Sequence, residues 1–198
     1  MRPLPSALRV LLPAALQPAC TWLACVRGDR LFTQGKKPDR MVYVASGEVV
    51  LQRLGIQGEN VVLQRARQGF VAEASLQSSN YHCDAVVTVS GDLLAIPIKP
   101  LRQSLLADPA FAMRWIGMLN QELRRLRAQC ERLSLKGVRA RLLHLIETEG
   151  QRGGLPLDAG LKSMASELGV THEALYRTVA ELEKKGSLRR EGGQIRIV

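Results

Sequence analysis

The chain has 198 residues, enough for one large domain or two small ones. Hydrophobic residues make up 46% and charged residues 23%, which excludes a disordered chain, and aromatics at 4% leave the core to aliphatic side chains. Lys and Arg outnumber Asp and Glu by 28 to 18, so the net charge is +10 and a polyanionic partner is expected, nucleic acid ahead of a membrane surface.

Four cysteines in a chain of this length do not make a disulfide framework. No apolar run approaches the roughly 20 residues that a bilayer-spanning helix needs, so no membrane partner is expected. The apolar stretch Leu11 to Leu16 follows Arg2 but is cut by Pro13 and flanked by Arg9 and Gln17. It reads as a short amphipathic helix, not a signal peptide, and the chain as cytoplasmic with reduced thiols.

From about Trp22 to Ile98 the texture is β. Short apolar runs recur at Met41–Val44, Val49–Leu51, Val61–Leu63, Val86–Val89 and Leu93–Ile98. Turn signals separate them at Gly35–Asp39, Ser46-Gly47, Gly55–Gly58, Gln68-Gly69, Ser78–Asn80 and Ser90–Asp92. Such spacing suggests an antiparallel barrel or sandwich. Pro97 and Pro100 close the region.

At Asp108 the period changes. Asp108 is a suitable N-cap and Pro109 a suitable first helical residue. Ile116, Leu119, Leu123, Leu126, Cys130 and Leu133 then follow at alternating steps of three and four. This heptad seam, with Arg114, Arg124, Arg125, Arg127 and Arg132 lying off it, predicts a dimer helix, against the alternative of a helix packed on its own β domain. Gly137 marks a boundary, and a second helix runs from about Val138 to Thr148. Gln151 to Gly154 is a loop. The last segment, Ser187 to Ile197, reads as a β-hairpin turning at Glu191-Gly192-Gly193.

The strongest signal runs from Leu161 to Arg177. Leu161, Met164, Ala165 and Leu168 form one apolar face, Gly169 suits a left-handed helix end, and Thr171 suits an N-cap. Two short helices joined by such a turn are a helix-turn-helix. With Leu175, Val179 and Leu182 inward, His172, Glu173, Tyr176 and Arg177 share the opposite stripe. Early residues of the second helix are those that reach base edges in the major groove. Arg177 can pair with guanine, and Glu173 can accept from cytosine N4. The alternative is an exposed Glu173–Arg177 pair four residues apart. Thr171 and Lys162 are expected phosphate contacts, and Arg189 and Arg190 could touch the backbone as a wing. No Gly-rich phosphate loop, nucleophile–His–acid set or His/Cys metal spacing stands out, so the chain is not read as an enzyme or a metal protein.

The order of elements resembles the cyclic-AMP receptor protein and fumarate–nitrate regulator (Crp/Fnr) superfamily. Arg27–Gly35 resembles its opening strand and turn, Asp39–Val49 its next segment, and Thr171–Arg177 its recognition helix. The resemblance implies an α+β chain: an antiparallel β-roll effector domain (1–108), a long dimerisation helix (109–136) and a winged helix-turn-helix (137–198). It implies a homodimeric transcription regulator that reads a palindromic site on double-stranded DNA, with half-sites about 34 Å apart. It also leaves RNA polymerase open as a partner. Many members have Arg where this chain has His172.

The family's cyclic-nucleotide pocket is altered. Its Gly-Glu pair is here Ala72-Glu73, and its Arg followed by Ser or Thr is Cys83-Asp84. A cyclic phosphate without its arginine is an unpaired buried charge, so no ordinary cyclic-AMP response is expected. No cofactor is expected. Cys20 and Cys25 lack the third nearby ligand of the family's iron–sulfur members. A haem through His82 or Cys83 has no pattern behind it. The alternative is a regulator gated by haem, redox change or another non-nucleotide ligand; at Cys130 a disulfide across the dimer stands against a free thiol that behaves as a small hydrophobe.

Overall fold

The computed structural model describes residues 2–56, 60–157 and 160–198. The chain forms two compact units, Met1–Gly117 and Met118–Val198.

The first unit opens with helix α1, Ser6–Leu11. The sequence places this helix five residues too late. Pro13 cannot continue it and restricts the residue before it, so the chain leaves the helix at Leu12. Leu8, Leu12 and Leu16 are nevertheless all buried.

Eight strands follow: β1 Thr21–Cys25, β2 Arg30–Phe32, β3 Arg40–Val44, β4 Glu48–Leu54, β5 Asn60–Ala66, β6 Gly69–Val71, β7 Asp84–Val89 and β8 Gly91–Pro97. They form two four-stranded antiparallel sheets in the orders β1-β8-β3-β6 and β2-β7-β4-β5. Inward residues of both sheets, among them Val42, Val44, Val49, Leu51, Val71, Val87 and Leu93, make one aliphatic core. This is the expected β-roll. The five apolar runs are strands except for Ile98, which opens a helix, while β6 starts at Gly69 and β8 at Gly91, both of which the sequence assigns to turns. Residues 57 and 58 of the Gly55–Gly58 turn lie outside the described residues.

Helix α2, Ile98–Ala107, is absent from the sequence reading. Pro100 looks like a breaker there, yet it sits in the first turn, where no intrahelical N–H bond is lost. Ile98 and Leu101 anchor α2 by full burial.

Helix α3 runs Pro109–Ser134, and Asp108 caps it by accepting the Phe111 amide at 3.0 Å. The second unit holds the end of α3, then α4 Val138–Glu149, β9 Gly154–Pro156, α5 Gly160–Leu168, α6 His172–Lys184, β10 Leu188–Glu191 and β11 Gln194–Ile197. Its sheet order is β10-β11-β9, so the expected hairpin gains a third strand from the segment after the Gln151–Gly154 turn. Glu191 belongs to β10, not to the turn, and pairs with Gln194. The turn itself is Gly192-Gly193, with φ of 58° and 73°, the two left-handed residues that a tight hairpin needs.

Candidate DNA-reading helix and effector pocket

Helix α6 begins where Thr171 accepts the Ala174 amide at 3.2 Å. Leu175, Val179 and Leu182 are buried against Leu161, Met164, Ala165 and Leu168 of α5 and against Leu142, Leu145 and Ile146 of α4. That packing fixes the opposite stripe. Glu173, Tyr176 and Arg177 are exposed, and His172 is half-buried with its ring edge-on to Tyr176 at 4.3 Å. The four residues singled out from the sequence thus share one outward face.

Glu173 and Arg177 are not paired with each other among the described residues. The Glu173 carboxylate instead bends toward the start of α6. Its own backbone amide first, then the Thr171 hydroxyl and His172, hold it below the ordinary carboxylate range. It is therefore an ionised acceptor at neutral pH. The Arg177 guanidinium stands free among the described residues.

The proposed phosphate contacts differ in availability. Lys162 is exposed on α5, and Thr171 is exposed at the cap. Arg189 lies 3.8 Å from Glu191, both well exposed. Arg190 is engaged: its Nε and Nη2 each donate to the Glu183 carboxylate at 2.7 Å, tying β10 to the end of α6.

The seam of α3 is open. Ile116, Leu123, Leu126 and Leu133 keep 43–48% of their surface, Leu119 is half-buried and Cys130 is exposed. The row of apolar side chains that the sequence predicts is thus left largely uncovered in the single chain.

In the first unit the altered pocket residues also come together. Ala72 is buried and follows β6 in a left-handed conformation, φ 76° and ψ 12°. The backbone there keeps a geometry that suits glycine, although the residue is Ala. Glu73 then opens a single 3₁₀ turn that ends at Ser75, whose buried hydroxyl has no hydrogen-bond partner among the described residues. Cys83 is buried in the β-roll core, and burial, then Asp84 and Glu73, push its thiol up against the opposing pull of Arg53. Asp84 is more than an added charge. It accepts the Gln34 amide at 2.7 Å and pairs with Arg30 at 3.3 Å.

Residues 24–108 match the cyclic nucleotide-binding domain family. Beyond that domain the chain is similar to Crp/Fnr-type regulators. Its relatives include the "Global nitrogen regulator" of Nostoc sp., 24% identical over 173 residues, which cover 80% of this chain and 77% of that protein. The fold is shared with a CooA mutant from Carboxydothermus hydrogenoformans, at a TM-score of 0.68 and 17% identity, covering 96% of this chain and 89% of that one. It is shared also with FixK2 from Bradyrhizobium japonicum, at a TM-score of 0.65 and 19% identity, covering 90% and 92%. Helices α5 and α6 form the helix-turn-helix expected from the sequence, and the β10-β11 hairpin follows it.

Three groups escape the sequence reading: Arg132, Arg141 and Glu48. Arg132 looks like a solvated charge off the seam, yet it is fully buried. Glu48 is buried under a Thr88 hydroxyl bond of 2.7 Å and ion pairs to Arg65 at 3.1 Å and Arg67 at 2.9 Å. Hydrophobic periodicity carries no signal for a buried ion.

Proposed function

We propose that the chain is a dimeric, sequence-specific DNA-binding transcription regulator that reads a palindromic site through the major groove and works without cyclic AMP. It performs no reaction in this reading, acts in the cytoplasm, and would signal through RNA polymerase. The observation that carries it is the outward stripe of α6: an ionised acid and an unengaged guanidinium one turn apart, near the N-terminal end of a helix whose other face is locked in a core. His172 and Tyr176 extend the same stripe, and Lys162, Thr171 and Arg189 supply the backbone contacts, joined by Arg190 only if it leaves Glu183. Similarity to Crp/Fnr-type regulators supports the assignment.

Two copies would meet along Ile116, Leu119, Leu123, Leu126, Cys130 and Leu133, since that row is left uncovered in one chain. Independence from cyclic AMP rests on the pocket. Where the family holds the phosphate, this chain has a buried thiol beside Glu73 and Asp84 and no arginine at the position of Cys83. Gating by a redox change at Cys83 is disfavoured, because burial keeps the thiol protonated and the thiolate is the reactive form.

Fluorescence anisotropy on DNA carrying a selected site, with no effector added, tests the reading. Tight, sequence-selective binding that cyclic AMP leaves unchanged is expected. Weak binding that does not distinguish sequences, or binding that requires cyclic AMP, would contradict it.

A further inference from the structure

Two arginines join the end of α3 to α4 and α5. Arg132, on α3, reaches the Thr148 hydroxyl at 3.3 Å and the Glu149 carboxylate on α4, and lies 3.6 Å from Glu167 on α5. Arg141, on α4, reaches in the opposite direction. Its Nη2 donates to the Leu133 carbonyl at 3.0 Å and its Nε to the Leu135 carbonyl at 3.0 Å, where α3 ends. Its Nη1 donates to the Leu168 carbonyl at 3.0 Å and the Gly169 carbonyl at 3.4 Å, where α5 ends. The last carbonyls of a helix lack intrahelical donors, so one guanidinium caps two helices at once.

A separate contact lies at the same place. Gly169 has φ +63°, and a Cβ there would stand 3.2 Å from Leu133 Cδ2 and 3.5 Å from Arg141 Nη1. Leu133 ends the apolar seam, and Gly169 lies two residues before the Thr171 cap of α6. The guanidinium thus joins the last residue of the seam to the turn that launches the reading helix, and no side chain larger than hydrogen fits at Gly169 without displacing Leu133.

We propose that Arg141 is a positioning residue of the DNA reader: it fixes the direction of α6 relative to the end of α3, so that Gly137 is not a free hinge. In a dimer joined along the seam it then sets the separation of the two reading helices. This rests on the dimeric reader argued above. The requirement is for arginine. A planar fork with five donors can serve carbonyls of two helices together, whereas a lysine ammonium presents its donors from one point.

The test uses the full chain, with Arg141→Gln and Arg141→Lys. Affinity is measured on the selected site and on versions with one base pair added to or removed from the spacer. One base pair shifts the half-sites by about 3.4 Å and about 35°. The wild-type chain should lose about tenfold or more on the misspaced sites, and Arg141→Gln about threefold or less, with Arg141→Lys in between. The base preference within each half-site should be unchanged, which a merely unfolded variant would not preserve. Arg139→Gln, which removes the same charge from an exposed position of α4, should keep the wild-type spacing penalty.

A folded Arg141→Gln chain with the full penalty overturns the proposal. Should that variant fail to fold, Arg141→Lys decides: a relaxed penalty supports the assignment and an unaltered one overturns it. A wild-type chain that binds without sequence preference would instead overturn the reading as a regulator, and the positioning role with it.

Discussion

Truncating Arg132 to Ala deprives Glu149 and Glu167 of a cation they share. The Arg132 side chain is 0% exposed, whereas the two carboxylates keep 21% and 33% of their surface. Breaking a fully buried ion pair costs about 3–5 kcal/mol. Water reaches both acids in part, which lowers that cost, while the lost stem leaves a cavity that raises it, for a net loss of about 3 kcal/mol. Arg132→Met refills the volume without the charge and should recover about half of this. Urea unfolding separates the effect by probe. Trp22 and Trp115 both lie in the first unit, so indole fluorescence follows that unit, while far-UV circular dichroism also reports the helices of the second. At a slope of about 1.5 kcal/mol/M, Arg132→Ala should move the helical transition down by about 2 M. The fluorescence midpoint should stay in place. A helical shift below about 0.3 M would refute the reasoning, because it would mean that the buried guanidinium contributes nothing net.

Three further outcomes are expected. Burial alone would raise the Glu48 carboxyl, but the Thr88 hydroxyl, Arg67 and Arg65 outweigh it and hold the group below the ordinary range. A depressed folded value means that its stabilisation is complete above about pH 4.5 and is lost as pH falls through that folded value, so Glu48→Gln should lower first-unit stability at pH 7 and flatten its acid loss, read by indole fluorescence. Cys130 is exposed, whereas burial raises the thiols of Cys20, Cys25 and Cys83. One thiol should therefore react quickly with an aromatic disulfide reagent at low protein concentration and slow as the seam pairs; equal rates at all four would contradict the seam. Lys162→Ala should weaken binding alike on all sequences and reduce the salt slope by about one, while Arg177→Ala should cost about 1–3 kcal/mol of discrimination with little change in slope.

How far the sequence was legible follows from the kind of signal each element carries. Strands β3, β4, β5, β7 and β8 and helix α6 are legible, because apolar runs and a 3.6-residue period survive wherever a face is buried, whereas the short β2 and β6 carry too few residues to show a run. The inward face Leu175, Val179 and Leu182 was readable for that reason, and it placed Glu173 and Arg177 outward. Helix α2 was not, since Pro100 reads as a breaker unless its position in the first turn is known. Strand β9 is three residues long and has no alternation to show. Arg132 and Arg141 were illegible for a deeper reason. Their partners are carboxylates and carbonyls brought together only by the fold, and charge off an apolar seam looks like solvated surface.

The most direct test is selection of bound DNA from a random pool by the wild-type chain and by Arg177→Ala in parallel. The wild-type chain should enrich a two-fold symmetric motif, with half-sites about one helical turn apart. Arg177→Ala should keep symmetry and spacing but lose preference at one base pair in each half. No enriched motif, or the same motif from both proteins, would contradict the assignment of α6 as the reader.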